Sequence, residues 1–218
     1  MSAPVHILVF GRSPLSGRAK TRLIPTLGPQ GAADLYGLLL EHALATALAA
    51  QVGRVTLWLD AEPVAEEVEC LRGGHDIEIA VQVPGDLGMR MHEALLQSLA
   101  AGALPLLMGS DVPALTPAAL LQAATLLRGG RDAVLAPAQD GGYGLVGVAR
   151  PLPSLFEAMP WSTSFVLAET RRRCTRDGID LAELDWVWDL DEPADLIRLD
   201  EVPELAGWRH RIRVDAAG

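Results

Sequence analysis

Short apolar runs alternate along this chain with longer segments of helical pattern. The runs are apolar on both side-chain faces, which is typical of buried parallel β-strands. They predict strands at Val5–Phe10, Arg54–Asp60, Ile77–Val83, Leu104–Met108, Ala133–Ala136, Gly144–Val148 and around Trp186–Trp188.

Helical periodicity fills the intervals between the predicted strands. Apolar residues at i, i+3, i+4 and i+7 spacing form two stripes, Leu40–Leu48 and Met91–Leu99. Thr116 followed by Pro117 is typical of a helix N-terminus, and another helix is expected near 164–176. This alternation predicts an α/β fold, a three-layer α/β/α sandwich around a mainly parallel sheet.

Length and composition narrow the class of protein. With 218 residues, half of them hydrophobic, the chain is expected to form a single domain spanning residues 1–218. The net charge of −10 argues against nucleic acid as a partner. The pattern shows neither a signal peptide nor a membrane span, so we expect a cytoplasmic protein. Cys70 and Cys174 have no spacing that indicates a disulfide framework or a structural zinc site.

The loop after the first predicted strand is strongly basic. Residues 1–33 have a charge of +4 and the remainder −14, and Lys20 is the only lysine of the chain. Gly11 and Gly17 allow backbone amides to approach a ligand, so the loop predicts a di- or triphosphate site. The alternative is a solvated basic loop, and in both cases Lys20 is expected at the surface. A Walker A loop is excluded because Ala19 precedes the lysine.

Carboxylates follow later strands at points where ligands bind in α/β proteins. Asp111 comes directly after the fourth predicted strand and is a candidate ligand for Mg²⁺ or Mn²⁺, with a turn aspartate as the alternative. Asp140 lies in a polar Asp-Gly-Gly turn that also suits a plain hairpin. Ten acids accompany one arginine between Asp180 and Glu204, more than a helix N-terminus requires, so Asp191 is the candidate second metal ligand.

Six motifs resemble, in this order, those of an uncharacterised bacterial glycosyltransferase-like family, sometimes called selenodomain-associated transferases. They are Gly11–Leu23, Gly85-Asp86-Leu87-Gly88 with Arg90-Met91, Gly109–Leu115, Asp140–Tyr143, Pro160–Thr163 and Asp189–Leu196. The family is similar in fold to the A-type, Rossmann-like nucleotide-sugar transferases (GT-A), and more distantly to phospholactate guanylyltransferases and molybdenum-cofactor nucleotidyltransferases. Glu192 departs from the family pattern, which usually has threonine before the proline.

The resemblance implies a role for individual residues of this chain. Asp111 and Asp191 would bind the divalent metal, and with Asp140 they would form the catalytic group. Asp140 and Trp161 would border the donor sugar or the acceptor. The remaining candidates for contact with nucleotide or substrate are Gly11, Arg12, Ser13, Gly17, Arg18, Lys20, Thr21, Arg22, Asp86, Gly141, Gly142, Ser162 and Thr163.

The expected function is transfer from an activated nucleotide donor, assisted by Mg²⁺ or Mn²⁺. Metal and cations would neutralise the leaving phosphates while a small-molecule acceptor attacks. Transfer of a sugar from a nucleoside-diphosphate sugar is favoured. Nucleotidyl transfer with release of pyrophosphate is the alternative, and a nucleotide-binding module without turnover is the second alternative.

Overall fold

The computed structural model describes residues 3–13, 19–64, 68, 71–73, 75 and 77–213. Its strands are β1 (Val5–Gly11), β2 (Gly53–Leu59), β3 (Glu78–Val81), β4 (Leu104–Gly109), β5 (Ala133–Pro137), β6 (Tyr143–Val148) and β7 (Leu181–Glu183). Its α-helices are α1 (Ile24–Ala49), α2 (Leu87–Ala100), α3 (Pro117–Arg128) and α4 (Val166–Asp177). Short 3-10 helices span Thr21–Leu23, Pro153–Leu155, Pro193–Glu201 and Trp208–His210.

The strands form one seven-stranded sheet in the order β3-β2-β1-β4-β6-β5-β7. A tight hairpin joins β5 to β6, so these two strands are antiparallel, and β6 is also antiparallel to its other neighbour, β4. All other neighbouring pairs are parallel. The mainly parallel sheet predicted from the sequence is therefore confirmed.

Helices cover both faces of the sheet, as the alternation of side chains along β1 shows. Ile7 and Val9 join a buried cluster with residues of α1 and α3, whereas Leu8 and Phe10 join a cluster with residues of α2 and α4. Successive strand residues point to opposite faces, so a strand buried on both sides is apolar throughout. This arrangement confirms the three-layer sandwich.

The prediction that Thr116 and Pro117 begin a helix is confirmed by α3. The Thr116 hydroxyl accepts a hydrogen bond from the backbone N–H of Ala119 at 3.2 Å, and Pro117 takes the first helical position. The helix expected near 164–176 is α4, which begins at Val166.

The strand predicted around Trp186–Trp188 is wrong. The strand at this edge of the sheet is β7, which pairs with β5 and lies five residues earlier in the chain than expected. Of the Trp-Val-Trp segment only Val187 pairs, as an isolated bridge to Ala138. Strand β5 ends at Pro137, and the chain then turns into the hairpin, so no straight partner remains for a longer strand.

A buried polar network crosses the sheet at His6 of β1. The imidazole Nδ1 lies 2.6 Å from the Ser98 hydroxyl of α2, and Nε2 lies 2.8 Å from the Thr56 hydroxyl of β2. Burial, with a smaller effect from the charge of Arg54, lowers the pKa of His6 to about 4. The neutral imidazole therefore joins three elements of the core.

The helices and the cysteines bear on two further expectations. None of the helices in the described ranges combines the length and the hydropathy needed to cross a membrane. Cys174 is a free, buried thiol, and Cys70 lies outside the described residues.

Candidate active site

The loops that follow β1 and β4 start side by side. Phe10 pairs with Gly109 in the parallel ladder, and the backbone N–H of Ser110 donates to the carbonyl of Phe10 at 3.0 Å. The Tyr36 hydroxyl of α1 contacts both loops, donating to the Arg12 carbonyl at 3.2 Å and lying 3.1 Å from the Ser110 hydroxyl. Burial raises the pKa of Tyr36, so the hydroxyl remains a neutral clamp between the loops.

Lys20 lies between the two predicted metal ligands. Its ammonium nitrogen is 2.9 Å from Oδ2 of Asp111 and 3.5 Å from Oδ1 of Asp191. The side chain is only 4% exposed, so the expectation of a surface lysine is wrong. Lys20 also has a left-handed backbone (φ 53°), which turns the chain into the 3-10 helix Thr21–Leu23 and directs the side chain inward.

Asp191 reaches this position through the last segment of the chain. The backbone N–H of Leu190 donates to the Asp111 carbonyl at 2.9 Å, which fixes the two loops together. The Asp195 carboxylate accepts from the backbone N–H groups of Asp191 and Glu192 at 3.0 and 2.7 Å. These hydrogen bonds cap the helical turn that begins at Pro193. They take the place of the cap expected from a threonine at position 192, where this chain has glutamate.

These loops border a cleft of about 1020 Å³ at the carboxyl ends of the parallel strands. Twelve of the predicted site residues line it. They are Gly11, Arg12, Lys20, Thr21, Arg22, Asp111, Asp140, Gly142, Trp161, Ser162, Thr163 and Asp191.

Three predicted residues do not line the cleft. The backbone N–H of Ser13 donates to Asp60 at 3.1 Å, and the Asp86 carboxylate caps α2 by accepting from Met89 at 2.8 Å. Gly141 has φ 90°, and a Cβ there would lie 2.3 Å from the backbone of Ser164. These residues support the walls of the cleft. Gly17 and Arg18 lie outside the described residues.

The wall opposite the basic loop is formed by the β5–β6 turn and the loop before α4. Asp140 accepts from the backbone N–H of Gly142 at 2.8 Å, which is the turn geometry expected of a hairpin. The rings of Trp161 and Tyr143 pack edge to face, with their centroids 6.3 Å apart. The Thr163 hydroxyl donates to the Pro160 carbonyl at 2.7 Å and so holds the loop that presents Trp161.

Sequence reasoning did not select several charged residues that border the cleft, among them Asp189 and Arg198. Burial, followed by the negative charges of Asp140 and Asp111, raises the pKa of the Asp189 carboxyl to about 6, although Lys20 opposes the shift. Asp189 belongs to the same acidic motif as Asp191, but nothing in the motif says that its side chain is the half-buried one. Arg198 is the only arginine or lysine between Asp180 and Glu204. That isolation was the one sequence signal that could have marked it as a candidate site residue.

Asp111 and Asp191 are suited to a divalent cation. Both carboxylates already share one positive charge, and carboxylate oxygens are the donors that Mg²⁺ and Mn²⁺ prefer. Within the described ranges, no group of three or more His, Cys, Asp or Glu side chains could hold a metal. A cation at this pair would therefore need oxygen atoms from a ligand or from water to complete its coordination.

A family of uncharacterized proteins conserved in bacteria, DUF2064, has a model that matches residues 43–163. The chain belongs to this family. The matched range includes four of the six motifs on which the resemblance depends, from Gly85-Asp86-Leu87-Gly88 to Pro160–Thr163. The basic loop and the acidic segment lie outside it. No curated protein matches the chain.

Several solved structures share the fold of this chain. A candidate nucleotide-diphospho-sugar transferase from Desulfovibrio desulfuricans G20 is 29% identical, with a TM-score of 0.81 over 94% of this chain and 90% of that one. CMP:2-keto-3-deoxy-manno-octonic acid synthetase complexed with CTP is 12% identical, with a TM-score of 0.60 over 92% and 98%. Rv0371c from Mycobacterium tuberculosis H37Rv, in a complex with manganese, is 18% identical, with a TM-score of 0.51 over 91% and 97%. This chain thus has the fold of the nucleotide-diphospho-sugar transferases.

Proposed function

We propose that this DUF2064 protein is a metal-dependent transferase with an activated nucleotide donor, and that it transfers a sugar from a nucleoside-diphosphate sugar to a small acceptor. The observation that carries the proposal is the convergence of Asp111 and Asp191 on Lys20, beside a basic loop, at the carboxyl ends of β1 and β4. The similarity to a candidate nucleotide-diphospho-sugar transferase supports the choice of donor.

The basic loop would hold the phosphates of the donor. Arg12, Lys20 and Arg22 all border the cleft, and cations at this point stabilise the charge that develops on the leaving diphosphate. Lys20 has a compact ammonium suited to a single phosphate oxygen, whereas the arginines can bind with two parallel hydrogen bonds. Asp140 and Trp161, on the opposite wall, would border the sugar or the acceptor.

Asp111 and Asp191 would hold Mg²⁺ or Mn²⁺, which neutralises phosphate oxygens when bound. For the two carboxylates to do so, the ammonium of Lys20 must leave the position that it shares with them. A phosphate of the donor offers that ammonium a new partner. Metal and nucleotide are therefore expected to bind with mutual support.

Nucleotidyl transfer is the second candidate. It is supported by the shared fold with CMP:2-keto-3-deoxy-manno-octonic acid synthetase and with 4-diphosphocytidyl-2C-methyl-D-erythritol synthase from Anaerococcus prevotii, which has a TM-score of 0.59. In this reaction an acceptor oxygen attacks the α-phosphorus and pyrophosphate leaves. In glycosyl transfer the acceptor oxygen attacks the anomeric carbon and the nucleoside diphosphate leaves.

Product analysis decides between the two reactions. The protein is incubated in the presence of Mn²⁺ with nucleotide sugars in one set of reactions and with nucleoside triphosphates in another. Slow release of a nucleoside diphosphate from a nucleotide sugar is the result expected of a glycosyltransferase. Release of pyrophosphate from a triphosphate, without activity on any nucleotide sugar, would reverse the ranking. Nucleotide binding without either product would identify a binding module.

A further inference from the structure

Arg198 is a pre-positioned cation at the side of the cleft formed by the β5–β6 turn. It extends from the 3-10 helix Pro193–Glu201 and borders the cleft. Its guanidinium carbon lies 4.4 Å from the centroid of the Trp188 ring, and Nη1 donates to Oε1 of Gln139 at 2.8 Å. An aromatic face and an amide from a different loop thus fix the guanidinium from two sides.

This guanidinium has no carboxylate partner in the part of the chain that the structure describes. Several surface arginines do have one, among them Arg131, Arg150 and Arg171, whereas Arg90 and Arg128 bind backbone carbonyls. The Asp195 carboxylate, one helical turn before Arg198, is occupied by two backbone N–H groups instead. The donors of Arg198 other than Nη1 are therefore free to bind an anion from the cleft.

The position of Arg198 separates it from the donor phosphates. Lys20 and Arg22 are committed to the Asp111 and Asp191 side of the cleft. Arg198 is tied to Gln139, the residue before Asp140, on the opposite wall. In the strand order β1-β4-β6-β5, the β4 loop with Asp111 lies between the basic loop and the β5–β6 turn that holds Arg198. A molecule with its anionic group on Arg198 would therefore extend its reactive group toward Asp111.

From this geometry we infer that the acceptor of the transfer reaction is an anion, a small phosphate or carboxylate, whose charged group binds Arg198. The inference rests on the proposed function, because it assumes that the other cationic end takes the nucleotide. A fixed, planar guanidinium with free donors matches both phosphate and carboxylate oxygens.

Arg198→Gln tests the inference, with Arg209→Gln as the matched control. Arg209 also lies over a tryptophan, 4.6 Å from the centroid of Trp208, but it pairs with Asp200 and does not border the cleft. The donor site is first saturated with a nucleoside diphosphate and Mg²⁺, so that phosphate cannot bind there. Inorganic phosphate, glycerol 3-phosphate, glycerate and neutral glycerol are then titrated by calorimetry.

We expect wild type and Arg209→Gln to bind at least one of the anionic probes more tightly than glycerol. Arg198→Gln should bind that probe about tenfold more weakly or worse, as is usual for a lost hydrogen bond between charged groups, and should retain its nucleotide affinity. The preferred probe distinguishes a phosphate from a carboxylate acceptor.

Two results overturn the inference: equal anion affinity in wild type and Arg198→Gln, or no preference of wild type for any anion over glycerol. Circular dichroism and the nucleotide affinity of Arg198→Gln show that a loss is not due to misfolding. Failure of the proposed function looks different. In that case the wild-type protein binds no nucleotide, and the binding of the anionic probes is measured without nucleotide.

Discussion

The ammonium of Lys20 lies 2.9 Å from the carboxylate of Asp111, with Asp191 on its other side at 3.5 Å. The single lysine of the chain is thus an internal counter-ion for the two strand-end carboxylates. The proposed metal would have to replace it. This relationship links the binding of metal, the binding of phosphate and the stability of the loop.

Lys20→Ala should weaken nucleotide binding by about 1.5 to 3 kcal/mol, the range for a hydrogen bond between charged groups. It should also lower the free energy of unfolding by about 1 kcal/mol, because two neighbouring carboxylates lose their shared cation. Calorimetry and urea unfolding measure the two effects. Arg131→Gln, which removes the exposed ion pair with Asp180, is the control. Unchanged nucleotide affinity in folded Lys20→Ala would contradict a phosphate role for Lys20.

Metal binding should depend on the nucleotide. Mg²⁺ or Mn²⁺ is expected to bind weakly alone and more tightly with a nucleoside diphosphate, because phosphate oxygens complete the coordination shell. Asp111→Asn and Asp191→Asn should each abolish this coupling in calorimetric titrations. Asp86→Asn is the control, since asparagine also caps a helix and Asp86 lies outside the cleft. Identical nucleotide affinity in excess chelator and in excess metal is the contrary outcome.

The His6 network should make stability depend on pH. The pKa of His6 is about 4 in the folded protein against 6.5 in the unfolded chain, so between these values the unfolded chain binds more protons. The free energy of unfolding should therefore fall, by roughly 2 kcal/mol, as the pH is lowered from 6.5 to 4. Urea unfolding at several pH values measures the slope. In His6→Gln the slope over this window should be smaller; an unchanged slope would assign it to other groups.

Gly141 should be sensitive to substitution for a steric reason. Gly141→Ala places a Cβ 2.3 Å from the backbone of Ser164 in the loop that carries Trp161. Gly130→Ala is the matched control, since its φ of 99° is similar to the 90° of Gly141 and its Cβ meets nothing within 4 Å. We expect about 1 kcal/mol of destabilisation at Gly130 and at least 2 kcal/mol at Gly141. Equal losses in urea unfolding would show that the loop moves aside at no cost.

Much of the fold could be predicted because its pattern is local. The strands of a parallel sheet are apolar on both faces, so β1 and β4 stand out without any knowledge of their partners. The Thr116-Pro117 cap is likewise a local signal. The prediction of the edge strand was wrong because its pairing is not a local property. Trp186–Trp188 alternates like a strand, but its pairing depends on where β5 ends, which is set at Pro137.

The sequence by itself determined which kinds of residue follow the strands: a basic loop after β1, Asp111 after β4 and an acidic segment near the C-terminus. A shared metal site of Asp111 and Asp191 was already expected, but only the tertiary structure decided that Lys20 lies between them. Lys20 is buried because its left-handed backbone directs it between two carboxylates that are 91 and 171 residues away in the chain. Arg198 borders the cleft because Trp188 and Gln139 hold it there. Such contacts depend on the packing of distant segments, and no local periodicity records them.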